Sequence, residues 1–173
     1  TQSRSSAASD VYKRQVRYVD TDGVTHTDSN NKVLYRKDTG DVLNVVRNRY
    51  KMAQYGDAWK AAERILVNSE LNLEGLERRM EESHNGARAF AVYTLPSHTV
   101  DLGGGDESVL QISAYSSFDG SWCFTLEAGA VRMLCLNTQV AIDGFSLYKS
   151  KHTPSLNIAQ GVGKISKALT VYE

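Results

Sequence analysis

Between Ser116 and Thr153 the chain contains several residue types that can carry chemistry, spaced through an otherwise apolar pattern. A thiol that is activated by a neighbouring base or cation is a nucleophile, and a guanidinium can bind a phosphate or a carboxylate in a bidentate manner. The pattern therefore predicts a functional site in this segment. Its candidate residues are Asp119, Arg132, Cys135, Asn137 and His152.

Asp119 and Arg132 each allow a structural and a functional interpretation. Asp119-Gly120 is typical of a type I′ hairpin turn, in which both central residues have positive φ. A carboxylate at a loop tip could instead bind a cation or act as a base. Arg132 lies among apolar residues, so its charge needs a partner if it is buried. That partner could be Asp119, Glu127 or Asp143, or the guanidinium could hold a phosphate or carboxylate ligand.

Cys135, Asn137 and His152 also allow two interpretations each. A cysteine in an apolar run is more often a small buried residue than a nucleophile. Asn137 could cap the end of a helix or contact the edge of a base. His152 lies in the basic segment KSKHTP, which is either a solvated loop or a phosphate contact. An enzyme would need Cys135 and His152 to meet Asp119 or Arg132 in one cleft.

A second group of residues combines cations with aromatic rings. This mixture suits single-stranded nucleic acid, whose phosphates bind to cations while its bases stack on rings. The alternative is an ordinary strand exit with solvated charges. The candidate nucleic-acid-binding residues are Arg47, Arg49, Tyr50, Lys51, Arg132, Lys149 and Lys151. The first four of them form one cluster along the chain together with Tyr55.

The composition limits the class of protein. The 173-residue chain has 20 Lys and Arg against 20 Asp and Glu, so overall charge alone does not favour binding to DNA, although a local basic face is possible. Two cysteines, Cys123 and Cys135, are too few for a disulfide scaffold and predict free thiols in a reducing cytosol. They lack the spacing of a zinc site, and DLGGGD (101–106) lacks the Lys-Ser/Thr of a phosphate-binding loop, so we expect no metal or cofactor. No apolar run is long enough to span a bilayer, and we expect no membrane partner.

The hydrophobic pattern predicts an α+β fold, with a mostly antiparallel sheet built from hairpins and with helices packed on one face. Turn residues predict hairpins at Asp22-Gly23, in KDTGD (37–41) and in SSFDG (116–120). The other predicted strands cover residues 87–95, closed by Pro96, then 109–115, 121–126 and 145–151.

Four helices are predicted from the 3.6-residue spacing of apolar side chains. The first begins with Asp57 as its N-cap, and the second begins near Asn72 and ends at Asn85-Gly86. The third covers residues 129–140 as a helix or a helix-like crossover. The fourth follows Pro154.

The two ends of the chain are unusual. Residues 1–15 show no helical or strand period, and SSAASDVYKRQ resembles the translated read-through of a sequencing adapter that recurs in assembled metagenomic contigs. We therefore expect residues 1–15 to be a non-native or disordered tail. We predict that residues 16–173 form a single α+β domain, because no linker or repeat divides them. The final helix stops without an exit signal, so we expect this domain to be truncated at its C-terminal end.

Several motifs in order resemble a known family. LYRKDTGDVLNVVRNRY (34–50), SSFDGS (116–121) and G-x-x-R-x-x-C-x-N (129–137), followed by His152, are similar to the phage/plasmid-like protein family, also called domain of unknown function 932. The resemblance extends from about residue 33 onward and implies a protein of phages, plasmids or prophages, without implying a reaction. The family usually has Asn-Ser-His-Asp-Gly-Ser at 116–121, so Ser116 and Phe118 depart from its pattern.

The preferred hypothesis is an accessory protein of a mobile element that binds single- or double-stranded DNA in replication, recombination or defence evasion. Two alternatives stay open: an interaction module that forms a homo-oligomer through sheet edges, and an enzyme that uses Cys135, His152 and Asp119. In each case we expect a cytoplasmic location in a bacterial host cell.

Overall fold

Eight strands and two helices make up the part of the chain that the structure, a computed structural model, describes: residues 10–101, 107–135 and 138–170. For residues 100, 101, 107, 132–135 and 138–145 it describes the backbone alone. The elements in chain order are β1 (Val11–Val19), β2 (Thr25–Arg36), β3 (Val42–Arg47), α1 (Tyr55–Asn68), β4 (Glu77–Ser83), β5 (Arg88–Asp101), β6 (Glu107–Ser117), β7 (Phe124–Cys135), β8 (Thr138–Ser150) and α2 (Ile158–Leu169).

The first three strands form one antiparallel sheet in the order β1-β2-β3. Both predicted hairpins are confirmed, because Asp22-Gly23 lies between β1 and β2 and KDTGD lies between β2 and β3. Gly23 and Gly40 have φ values of 80° and 78°, which glycine adopts without the steric cost of a Cβ. Of the predicted tail, residues 1–9 lie outside the described residues, and residues 11–15 belong to β1, where Val11 is 1% exposed.

The remaining strands form a five-stranded antiparallel sheet in the order β4-β5-β6-β7-β8. Each strand pairs with the next one in the chain, and the turn between β4 and β5 contains Asn85-Gly86. Antiparallel neighbours need only short turns between them, which the turn residues of this chain supply. The predicted α+β class, with antiparallel sheets built from hairpins, is confirmed.

Two predicted helices are wrong. Of residues 129–140, the described ones belong to β7 (129–135) and β8 (138–140), and the segment after Asn72 is a turn followed by β4. Both segments contain residues that favour helices, such as Ala, Leu, Met, Glu and Arg, but pairing with neighbouring strands overrides that weak preference. Pro96 also does not close β5, which continues to Asp101 after an irregularity in its pairing between Leu95 and Thr99.

Helix α1 begins one turn earlier than expected. Its N-cap is Gln54, and Asp57 occupies the third helical position, where its carboxylate accepts a hydrogen bond of 3.1 Å from the Gln54 backbone N–H. This arrangement is a capping box, which satisfies N–H groups that have no partner within the helix. The last predicted helix is confirmed as α2, which begins after its N-cap Asn157.

Both helices pack on one face of the five-stranded sheet. Every second residue of β5, β6 and β7 faces them, because side chains alternate across a strand. This core contains Ala91, Tyr93, Leu95, Leu110, Ile112, Ala114, Phe124, Leu126 and Ala128 from the sheet, and Ala58, Ala61, Ala62, Ile65, Val162, Ile165 and Leu169 from the helices. A second cluster joins the two sheets through Val11, Leu34, Val46, Tyr55, Ala89 and Phe118. Within the described residues, no helix is long and apolar enough to cross a membrane.

Substitution of two glycines in α2 tests the contact between α2 and β8. A methyl group on Gly161 would lie 2.5 Å from Cδ1 of Tyr148, whereas one on Gly163 would meet no atom within 4 Å. We expect Gly161→Ala to lower the free energy of unfolding by about 1–3 kcal/mol through overpacking. Gly163→Ala should instead raise it by about 0.5–1 kcal/mol, because alanine favours a helix. Urea denaturation measures both, and equal stability of the two variants would contradict this packing.

Candidate functional site

The loop between β6 and β7 is held by its own polar side chains. The backbone N–H of Trp122 donates to Oγ of Ser117 at 2.9 Å, and that hydroxyl donates to the carbonyl of Trp122 at 3.2 Å. Asp119 accepts a hydrogen bond from the Ser121 backbone N–H at 2.9 Å, and Gly120 has a φ of 81°. Asp119 itself does not have positive φ, so the predicted type I′ turn is wrong, although the hairpin is confirmed.

Asp119 forms an ion pair with Arg88, the first residue of β5. The distance between Oδ2 and Nε is 2.7 Å, and the two side chains are 20% and 28% exposed. Burial raises the pKa of Asp119, but hydrogen bonds from Ser121, Arg88 and Ser117 outweigh it and lower the pKa to about 2. Asp119 is therefore a fixed anion whose charge is already matched.

His152 makes hydrogen bonds through both nitrogens. Nδ1 lies 3.2 Å from the carbonyl oxygen of Lys51, and Nε2 lies 3.0 Å from Oγ of Ser116. A carbonyl oxygen only accepts, so Nδ1 carries the proton and Nε2 accepts from the Ser116 hydroxyl. Burial lowers the pKa of His152 below its ordinary value, and the bond to Lys51 opposes that shift. The imidazole is therefore neutral at pH 7 and is already committed to two partners.

Tyr50 lies in the linker between β3 and α1 and contacts His152, which follows β8. Its ring stacks on His152 with 5.0 Å between centroids, and its hydroxyl is buried without a hydrogen-bond partner among the described residues. Burial, together with the nearby Asp119 carboxylate, raises the pKa of Tyr50. Tyr55 is 1% exposed and donates its hydroxyl to the carbonyl of Gly86 at 2.9 Å. The buried ring of Tyr55 is therefore not available to stack on a base, whereas Tyr50 is partly exposed and its binding to nucleic acid stays a prediction.

Two basic segments meet at His152. The Lys51 N–H donates to the His152 carbonyl at 3.0 Å, which places the end of the linker from β3 against the residues that follow β8. We call the resulting group of exposed cations the basic junction: Arg47, Arg49, Lys51, Lys149 and Lys151. The ammonium of Lys51 donates to the Leu156 carbonyl at 2.8 Å. Among the described residues, none of the five takes part in an ion pair.

The other candidate residues lie away from this end of the sheet. Phe124, at the start of β7, pairs with Ser150, two residues before His152. Arg132 and Cys135 lie eight and eleven residues further along β7, which at about 3.3 Å per residue is roughly 26 and 36 Å. The structure therefore does not bring Cys135 together with His152 and Asp119. Asn137 lies outside the described residues.

Three residues near Asp119 and His152 were not among the predicted site residues: Arg88, Ser116 and Trp122. Arg88 lies 5.9 Å from the centroid of the Trp122 ring, which adds a cation–π contact to its ion pair. The only sequence signal was an arginine at the start of an otherwise apolar strand. Phe118, which departs from the family pattern, is 0% exposed and packs against Tyr55 with 4.7 Å between centroids. It anchors the loop and does not line the site.

The protein is of the α+β class. Its two antiparallel sheets meet at a polar loop, and its helices lie on one face of the larger sheet. A family model described as "Domain of unknown function (DUF932)" matches residues 42–172, about three quarters of the chain. The chain therefore belongs to this family, and the resemblance seen in its motifs is confirmed. No curated protein and no solved structure was found to match it. Within the described residues, no group of three or more His, Cys, Asp or Glu is placed to hold a metal ion.

The ion pair between Asp119 and Arg88 predicts a pH-dependent stability. Because the pKa of Asp119 is lower in the folded protein than in the unfolded chain, its carboxylate stabilises the fold above pH about 4 and loses that contribution as the pH falls towards 2. We expect Asp119→Asn to lower the free energy of unfolding by roughly 2 kcal/mol at pH 7 and by much less near pH 2. Urea denaturation across this pH range measures the difference.

The control is Asp22→Asn, in the exposed turn between β1 and β2. We expect this variant to match the unaltered protein within about 0.5 kcal/mol at both pH values. If Asp119→Asn showed the same deficit at pH 2 as at pH 7, its effect would not come from the charge of Asp119.

Proposed function

We propose that the protein binds nucleic acid through the phosphate backbone at the basic junction, as an accessory protein of a phage or plasmid. The observation that supports this most strongly is the meeting of two basic segments that lie about a hundred residues apart in the chain. Each segment alone is an ordinary solvated strand end. The contact between Lys51 and His152 brings together two segments that carry five cations, which supports a local basic surface on a chain of neutral net charge.

Among the described residues, no carboxylate forms an ion pair with the cations of the junction. The nearby carboxylate of Asp119 pairs instead with Arg88 at 2.7 Å. Exposed cations without a carboxylate partner can neutralise the phosphates of a nucleic acid, and the counterions that the nucleic acid then releases drive association. Binding of this kind carries little sequence information, because it reads the backbone and not the bases.

The proposed place of the protein in a mobile element rests on the resemblance of its motifs to the phage/plasmid-like protein family. A backbone-binding protein with little sequence preference suits replication, recombination or defence evasion, in which the nucleic acid varies in sequence. Such a protein acts where DNA is handled, so its location is the cytoplasm of a bacterial host cell.

The test is fluorescence anisotropy of labelled single- and double-stranded oligonucleotides, repeated across salt concentrations. One variant replaces Arg47, Arg49, Lys149 and Lys151 by Gln, and leaves Lys51 intact because its ammonium bonds to Leu156. We expect at least about a tenfold loss of affinity at ~0.1 M salt, and a salt slope that falls by about three, since each phosphate contact contributes ~0.7–0.9.

The matched control removes the same charge elsewhere, through Gln at Arg17, Lys60, Arg64 and Lys167, which are all exposed. We expect this variant to keep most of the affinity and its salt slope. Absence of binding at low salt would exclude the proposal. Equal losses in the two variants would show that net charge is responsible and that the basic junction is not a site.

A further inference from the structure

The face of the five-stranded sheet that is turned away from the helices carries aromatic rings. Phe90 pairs with Tyr115, and Tyr115 pairs with Thr125, so these three side chains share one face. Ala91 and Ala114, the neighbours of Phe90 and Tyr115 in the chain, face the helices and belong to the main core. We call this surface, with Phe90, Tyr115 and Trp122 as its rings, the aromatic face.

The three rings are partly exposed and belong to neither hydrophobic cluster of the described residues. Trp122 meets Tyr115 edge-on, with 6.0 Å between centroids and an interplanar angle of 79°. Each ring remains in contact with water over part of its surface, so covering it with another flat apolar surface would be favourable.

Ion pairs lie beside two of these rings. Arg79 lies 5.6 Å from the centroid of Phe90 and is paired with Glu81, and Arg88 lies 5.9 Å from that of Trp122 and is paired with Asp119. The cation on this face that has no ion pair is, among the described residues, Lys149. Lys149 pairs with Thr125, which places it two strands from Tyr115 on the same face. Because Lys149 also belongs to the basic junction, the aromatic face and the junction are continuous along β8.

We propose that the aromatic face is a platform on which the bases of a single-stranded nucleic acid stack, so that the substrate class is single strands and not duplexes. This inference rests on the proposed function and deepens it. Every base has an apolar face that can stack on an aromatic ring, while Lys149 and the rest of the basic junction hold the phosphates. In a duplex the bases are stacked on each other and cannot lie flat on a sheet.

The width of the aromatic face matches a short segment of single-stranded nucleic acid. Neighbouring strands lie about 4.8 Å apart, so β5 to β7 span roughly 10 Å. For comparison, a four-stranded RNA-binding sheet stacks about two or three bases on its aromatic side chains. The rest of the bound strand would continue across Lys149 towards the basic junction.

The test uses Trp122 as a reporter in a Trp59→Phe background, which leaves one tryptophan in the chain. Oligothymidylate should quench Trp122 fluorescence in a saturable manner, and a duplex of equal length should quench it much less. Phe90→Val and Tyr115→Val, which keep a strand-favouring residue, should each weaken binding to the single strand by about tenfold or more and leave duplex binding unchanged.

Two controls separate stacking from misfolding. Tyr18→Val removes a ring that is 55% exposed on the other sheet, and should leave single-strand affinity unchanged. Trp122→Phe, in a chain that keeps Trp59, should lose the fluorescence response and keep most of the affinity, because a phenyl ring can still stack.

The outcomes distinguish this inference from the proposed function. Equal affinity for single strands and duplexes, unaffected by loss of either ring but reduced by loss of the basic junction, would leave the proposed function standing and overturn the platform. No binding to either nucleic acid would overturn both. A Trp122 response that follows protein concentration, with a doubled mass by light scattering, would assign the face to a second copy of this chain and also overturn the platform.

Discussion

The neutral imidazole of His152 joins three parts of the chain that are far apart in sequence. It donates to the backbone of the linker before α1, accepts from the end of β6, and lies directly after β8. Its ring also stacks on Tyr50. Burial disfavours the charged imidazole, which would carry a second N–H. The same burial therefore lowers the pKa of His152 and goes with the geometry of the junction. This contact holds Lys51 against the residues that follow β8.

The loop between β6 and β7 combines an apolar anchor with polar side chains. Phe118 is buried against Tyr55, and its carbonyl accepts a hydrogen bond from the side chain of Asn44 at 2.9 Å. The next residue, Asp119, therefore faces Arg88 at a fixed distance. The second hydrophobic cluster thus does two things at once: it joins the two sheets, and it holds the charged end of the larger one.

The hairpins of the fold could be predicted because each depends on a few adjacent turn residues, as at Asp22-Gly23 and Asp119-Gly120. The first and last helices were predicted from their apolar spacing. The strands at residues 129–135 and 138–140 and the segment leading to β4 were not, since their residues favour helices locally and become strands only through pairing with neighbours. Local preference carries no information about which partner strand is available.

Two members of the site, Asp119 and His152, could be predicted, whereas their partners could not. Asp119 and His152 stood out as polar residues in an apolar segment. In the structure, Asp119 has an ion-pair partner and His152 has two hydrogen-bond partners. That Asp119 faces Arg88, and that His152 faces Ser116, depends on the register between strands, which a single sequence does not reveal. Cys135 looked close to His152 along the chain, yet a long hairpin puts the two residues at its opposite ends.

The contact between Lys51 and His152 also has a consequence for synthesis of the protein. The two residues are separated by 101 positions, and chains are made at about 5–20 residues per second, so about 5 to 20 seconds pass between the appearance of one and of the other. During that interval the first basic segment emerges without its partner. The assembled cation cluster therefore cannot form until His152 has been made, and a shorter nascent chain lacks the surface that we propose for phosphate binding.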